Sequence, residues 1–300
     1  MNNTRPLEVN SGYQSVYRAA PPPAPEEGAD RLDIGKRAGG RMVAVARACR
    51  LAWDTAQLGI PCGRIEQLWA SGREYAPALM EALDEVLEIF AREKTRFVDA
   101  RVGLHDLSLA QALERRGFYL ADVMAIYGSA APPLPSPAPG GYSIGAGRPG
   151  GDALQDAERF TLSAFSHSRL YQDEHISRDK ADAFYLALLR HFFTKPDTTL
   201  ILANGPEGRV VGYALGRLDP DAGKTGEPLA YLWMIAVDPA HEGKGLGAAL
   251  LNEFLRRMHQ RAPFVEVGTQ VSNAAANRLY RKANLAPVTH LATFHRWSAQ

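Results

Sequence analysis

Cysteine is nearly absent from this chain: Cys49 and Cys62 are the only two in 300 residues. They form neither a Cys-x-x-Cys pair nor part of a Cys/His set with metal-ligand spacing. A disulfide-built scaffold and a structural zinc are therefore not expected; the reading is two free thiols and no metal. Excess charge of either sign is lacking too. Lys plus Arg number 34 against 33 for Asp plus Glu, a formal net charge of +1, so no global field recruits nucleic acid or an anionic membrane. No apolar run reaches the ~18 residues needed to span a bilayer, and MNNTRPLEVNSGYQ has no apolar core of the secretory kind. The expectation is a cytoplasmic chain whose partner is a small molecule, with no membrane insertion. Whether two copies pair as a homodimer is left open.

What is present is a length and a 46% hydrophobic content sufficient for two domains with real cores. Residues 1–41, with Pro21-Pro22-Pro23-Ala24-Pro25 and little apolar periodicity, read as a disordered tail. Residues 130–141, containing APPLPSPAPGG, read as an extended linker. Between these breaks, 42–129 reads as a smaller domain in the order ββαβαβ. Its strands are CRLAWDT, PCGRIEQLW, RFVDARVGL and Phe118–Tyr127, and its helices Glu74–Arg92 and Leu107–Arg116. Residues 142–300 read as the second domain. It opens with the strand YSIGAG and helices at Asp152–Phe165 and Lys180–Phe193. A meander follows: TTLILAN, RVVGYALGRL and AYLWMIAVD. A helix from Gly245, the strand FVEVGTQ, a helix from Asn273 and a last strand in HLATFHRW complete it. Both domains are of mixed α/β (α+β) class.

An internal repeat links them. Phe97-Val98-Asp99 lies twenty residues before Gly117-Phe118, as Phe264-Val265-Glu266 lies twenty before Asn284-Leu285, without a gap. The copies differ where chemistry would sit. The positions matching Asn273 and Tyr280 are Asp106 and Leu113, and no glycine triplet precedes the first copy's helix, so any active site belongs to the second copy.

In that second copy LWMIAVDPAHEGKGLG runs from a strand through Asp238-Pro239 to Gly243, Gly245 and Gly247 and into a helix. Glycines let the backbone turn tightly and approach a ligand, and the first turn of a helix offers unpaired N–H groups to a phosphate. A Gly-rich turn without a ligand fits the same letters. Tyr280 follows Asn273 by seven residues. Acetyl transfer to an amine expels a thiolate, and a phenol near that sulfur can give it a proton. A tyrosine at helical spacing is otherwise an ordinary core aromatic, and Asn273 is equally suited to capping its own helix.

Taken together, the strand, Val-Asp-Pro, Gly-x-Gly-x-Gly, helix, strand, Asn273 and Tyr280 resemble the GCN5-related N-acetyltransferases, over roughly Tyr142 to Trp297. The resemblance implies a mixed, mostly antiparallel sheet flanked by helices, preceded here by a degenerate half-copy. It also implies acetyl-CoA as cosubstrate. The diphosphate of CoA would be held by the backbone of Gly243, Lys244, Gly245, Leu246, Gly247 and Ala248, and its pantetheine arm by the strand backbone at Ile235, Ala236 and Val237. The acetyl carbonyl would lie near the Val237 amide, Asn273 on the arm, and Tyr280 at the general-acid position. Glu242 departs from the family, which commonly has Arg or Gln there; a carboxylate near phosphates is unfavourable, and Lys244 is the nearest compensating charge. No general base is assigned among Glu266, Tyr231 and His167.

CRLAWDTAQLGIPCGRIEQL, AFSHSRLYQDEHIS and EVGTQVSNAAANRLY further resemble sugar-nucleotide N-acetyltransferases of the dTDP-fucosamine type. That implies the 4-amino group of a dTDP-linked amino sugar as acceptor, with Leu58 and Leu170 where phenylalanine would stand. Arg169 is then a candidate for an acceptor phosphate, or for a tie to Asp173. The rival readings are an acetyltransferase for another amine, such as a protein N-terminus, polyamine or antibiotic, and a non-catalytic acyl-CoA-binding module. Dinucleotide binding is disfavoured because the third glycine of G-x-G-x-x-G is missing and the preceding strands read as antiparallel.

Overall fold

The computed structural model describes residues 30–104, 107–134, 138–147, 151–220 and 228–298. In chain order the first half carries β1 (Arg31–Ala38), β2 (Arg41–Arg50), α1 (Ala52–Leu58), β3 (Cys62–Ala70), α2 (Ala76–Arg92), β4 (Phe97–Gly103), α3 (Leu107–Glu114) and β5 (Tyr119–Ser129). The second half carries β6 (Ser143–Ala146), α4 (Asp152–Phe165), α5 (Arg169–Gln172), α6 (Arg178–Thr194), β7 (Thr198–Asn204), β8 (Val210–Asp219) and β9 (Leu229–Val237). It ends with α7 (Leu246–Met258), β10 (Phe264–Gln270), α8 (Ala274–Lys282) and β11 (Ala286–Trp297).

Two local expectations change. The tail to residue 41 contains β1, which pairs antiparallel with β2 through a turn at Gly39-Gly40. Its alternating Leu32 and Ile34 pack on the helical core, so period-2 burial outweighs the polar composition. The rest of the tail lies outside the described residues. The strand expected at CRLAWDT is instead the end of β2 followed by α1, which stops at Gly59 in the left-handed region, φ 67°.

The described residues divide into two compact units: Met124–Thr289, and residues 30–123 together with 290–298. The expected partition into 42–129 and 142–300 is thereby corrected at both ends. The last six residues of β5 pair antiparallel with β10, from Val265↔Ser129 to Gln270↔Met124. The last strand, β11, pairs antiparallel with β4, from Leu291↔Gly103 to Trp297↔Phe97. Each copy of the repeat thus gives its final strand to the sheet that the other copy begins.

In the smaller unit the strands run β1-β2-β3-β4-β11. Helix α2 buries Leu79, Leu83, Val86 and Phe90 against Ala44, Ile65, Val98 and Ala100. That i, i+4, i+7, i+11 stripe is the apolar face of an amphipathic helix, and each large side chain so buried contributes about 1.5–3 kcal/mol. On the sheet's other face Arg64 donates from Nε and Nη2 to the fully buried carboxylate of Asp99, at 2.7 and 2.8 Å.

The larger unit orders its strands β5-β10-β9-β8-β7-β6, antiparallel except for the β9/β10 pair. Helix α7 covers one face, with Leu246, Leu250, Phe254 and Leu255 on Ile201, Val211, Leu232 and Val265. Helices α4 and α6 cover the other, with Phe160, Leu189 and Phe193 on Leu200, Tyr213 and Met234.

The repeat is visible in three dimensions. Cys62–Ala70 and Leu229–Val237, Phe97–Gly103 and Phe264–Gln270, and the starts of β5 and β11 at Tyr119 and Ala286, all stand 167 residues apart. Even the parallel registers correspond: Cys62↔Phe97 to Ile65↔Ala100 in one unit, Leu229↔Phe264 to Leu232↔Val267 in the other.

Candidate active site

The site begins where a ladder ends. β9 and β10 pair only from Leu229↔Phe264 to Leu232↔Val267. Past that point β10 continues along β5 to Gln270, while β9 continues along β8 to Val237. A fork opens between them, and the backbone of β9 beyond Leu232 has lost its partner on that edge. At the end of β9 the Asp238 N–H donates to the Val211 carbonyl at 2.9 Å. Strand N–H groups alternate in direction, so those of Val237 and Ile235 turn the other way, into the fork. Their side chains and that of Ala236 pack into the cores on either side, which leaves the backbone as the polar lining.

A bulge sets this geometry. The β8/β9 register shifts between Leu215↔Met234 and Gly216↔Leu232, leaving Trp233 unopposed. A Cβ at Gly216 would lie 1.9 Å from the Tyr231 carbonyl oxygen, so the close approach requires glycine. Because of the extra residue, Leu232 and Ile235 both face α7, while Trp233 and Met234 face α4 and α6.

Beyond Val237, Asp238 accepts from the Ala240 N–H at 3.0 Å and caps a short 3-10 turn at Pro239–His241. Gly243 and Gly245 then adopt φ of 75° and 83°, the left-handed backbone that favours glycine. Gly245 is the N-cap of α7. Gly247 differs: its φ is ordinary, and an added Cβ would meet nothing nearer than Leu279 Cδ2 at 3.7 Å. Leu246 is buried beneath the turn, while Gly243, Lys244, Gly245 and Ala248 are exposed. Glu242 is also exposed and has no ion-pair partner among the described residues. The Lys244 ammonium donates to the Tyr142 hydroxyl at 2.9 Å, and that hydroxyl also meets His241 Nδ1 at 3.0 Å.

Tyr280 stands on α8 and is 2% exposed. Burial, and next the proximity of Tyr127, raise its phenol above the ordinary tyrosine range. Among the described residues no hydrogen-bond partner meets its hydroxyl, so it remains a protonated donor. Asn273 accepts from the Ala276 N–H at 3.1 Å and caps α8. The buried polar side chain at this corner is Asn277, three residues before Tyr280. Its amide donates to the carbonyls of Asn273 and Gln270 at 2.7 and 2.9 Å, and its Oδ1 accepts from Tyr127 at 2.8 Å. Asn277, Tyr127, Tyr142 and His241 escaped the sequence reading. Asn277 left a signal, as a polar residue on the buried side of α8. Tyr127 left none, because its strand belongs to the other half of the repeat.

Of the candidate bases, Tyr231 and Glu266 are directly paired one step inside the closed end of the fork, and Glu266 is 4% exposed. His167 is exposed. Arg169 lies in the single turn of α5 and is 8% exposed, beside buried Ser168.

The profile of the Acetyltransferase (GNAT) family matches residues 163–284. That stretch is a GNAT acetyltransferase domain. The chain is similar to the spore coat polysaccharide biosynthesis protein SpsD of Bacillus subtilis, with 24% identity over 82% of this chain and 81% of that protein. It is also similar to the L-2,4-diaminobutyric acid acetyltransferase of Streptomyces anulatus, with 31% identity over 37% of this chain and 60% of that protein. Among solved structures, a tandem GNAT protein from the clavulanic acid biosynthesis pathway shares the fold at TM-score 0.62 and 16% identity, covering 99% of this chain and 94% of that one. The chain is an acyltransferase acting on amines, and its family uses acetyl-CoA. Among the described residues no helix is long and apolar enough to cross a membrane.

Proposed function

We propose that the chain transfers the acetyl group of acetyl-CoA to the 4-amino group of a dTDP-linked amino sugar. The observation that carries the transfer is the fork, with its two edge N–H donors, lying between the glycine turn and the protonated phenol of Tyr280. Acetyl-CoA supplies an activated acyl thioester when bound. Gly243, Lys244, Gly245 and Ala248 are exposed at the start of α7, where first-turn N–H groups and the helix dipole favour the diphosphate. Val237 and Ile235 offer their N–H groups to the arm and to the acyl carbonyl, polarising it. As the amine nitrogen bonds to the carbonyl carbon, the C–S bond breaks and Tyr280 gives its proton to the departing sulfur. The phenol is reprotonated from solvent, and the proton lost by the amine passes to water. Glu242 is the misfit at the diphosphate, and its exposure lets solvent screen it.

The acceptor reading is supported by the similarity to SpsD, which extends over four-fifths of both chains and so beyond the part that handles the cofactor. A different small amine is the second reading, favoured by the higher local identity to diaminobutyric acid acetyltransferase. Release of free thiol should be measured with dTDP-4-amino sugars, diaminobutyrate, polyamines and peptides. Turnover confined to the last three would refute the sugar acceptor. Binding of acetyl-CoA without turnover on any amine would instead favour a non-catalytic module.

A further inference from the structure

We propose that Tyr142 positions Lys244 on the diphosphate of CoA, so that the end of the proline-rich linker forms part of the cofactor site. The proposal rests on the reading of the glycine turn as the diphosphate cradle.

Sequence alone makes residues 130–141 a spacer. In the fold the end of that segment is instead bent onto the turn. Gly141 takes φ 82°, and the Tyr142 N–H donates to the Pro139 carbonyl at 3.1 Å, which turns the chain sharply. Pro139 Cγ comes within 3.8 Å of where a Cβ at Gly245 would lie. Tyr142 follows at once. Its ring lies 5.6 Å beneath the Lys244 ammonium and stands perpendicular to the His241 ring at 5.8 Å.

The hydrogen-bond count is closed. Lys244 has only donors, so the Tyr142 oxygen accepts from it at 2.9 Å. The hydroxyl proton is then free to donate to His241 Nδ1 at 3.0 Å. Two of the three ammonium hydrogens remain for phosphate oxygens. An exposed lysine otherwise samples many rotamers, and here the exposed Glu242 carboxylate, two residues away, competes for it. Tethering to Tyr142 keeps the cation off Glu242 and at the mouth of the turn. The departure from the family at Glu242 thereby acquires a counterpart outside the motif.

The test is equilibrium binding of acetyl-CoA to the full chain, unaltered and with Tyr142→Phe, Lys244→Met or both. Phenylalanine keeps the ring and its contacts, so only the hydroxyl is removed. Tyr142→Phe is expected to weaken binding about fivefold and Lys244→Met about tenfold, the usual scale for one charge-assisted contact. The double variant should be no weaker than Lys244→Met alone, because Tyr142 acts through Lys244. In turnover assays Tyr142→Phe should raise KM for acetyl-CoA with a smaller change in kcat. Unaltered affinity in Tyr142→Phe, or additive losses in the double variant, would overturn the proposal. Failure of the unaltered chain to bind acetyl-CoA would overturn the cradle reading itself, and this proposal with it.

Discussion

The ring of Tyr280 lies 5.5 Å from that of Tyr127, tilted by 59°. Tyr127 spends its hydroxyl on Asn277, not on Tyr280. The two phenols therefore share a wall without sharing a proton. One anchors the corner between β10 and α8, and the hydroxyl of the other meets no hydrogen-bond partner among the described residues. The residues are 153 positions apart in the chain, and only the exchange of final strands makes them neighbours.

Tyr280→Phe should lower kcat about 100-fold with little change in acetyl-CoA affinity, because the hydroxyl is needed only as the thiolate leaves. Burial raises the phenol's pKa, so its loss of a proton should place no basic limb on kcat below about pH 10. The same shift has a sign for stability. The contribution is fully present below the unfolded value near 10 and is lost as pH rises through the higher folded value. Wild type should therefore lose stability in strong alkali faster than Tyr280→Phe. Equal kcat for the two proteins would remove Tyr280 from the acid role.

Gly216→Ala should destabilise the larger unit by about 3 kcal/mol or more, since a carbonyl 1.9 Å from the new Cβ cannot yield as a side chain can. A urea midpoint close to wild type would contradict the bulge.

Asp156 joins α4 to β8. Desolvation raises its pKa, but the Val210 N–H and the Arg209 and Arg159 guanidinium groups outweigh that and lower it overall. Stability from this carboxylate is thus present above the unfolded value near 3.9 and lost as pH falls through the lower folded one. Asp156→Asn should cost about 1–3 kcal/mol at pH 7, and the cost should shrink as pH falls through the lowered folded value. A difference that does not shrink with acid would show that charge is not the cause.

Residues 1–129 and 142–300, produced separately, should each fail to unfold cooperatively, because each lacks a strand that its sheet requires. Cooperative melting of 142–300 alone would argue against the exchange as a stabilising feature.

The elements of the larger unit were legible because alternation and helical spacing are local. The glycine turn was legible because left-handed backbone at Gly243 and Gly245 selects its own residue type. The two copies of the repeat could also be told apart: Asp106 and Leu113 stand where Asn273 and Tyr280 do. The helix at Ala52–Leu58 was misread because a seven-residue segment barely completes two turns, too short for either period to declare itself.

Sequence by itself determined the element order, the glycine turn and the position of Tyr280, since each depends on residues close together in the chain, and the repeat, since matching letters needs no contact. Tertiary structure alone decided that β5 and β11 exchange sheets, that Tyr127 reaches Asn277 and packs on the phenol, and that Tyr142 bends onto Lys244. Those contacts join residues about a hundred or more positions apart. A strand's pattern of buried and exposed residues states which face is apolar, but not which edge will complete its hydrogen bonds.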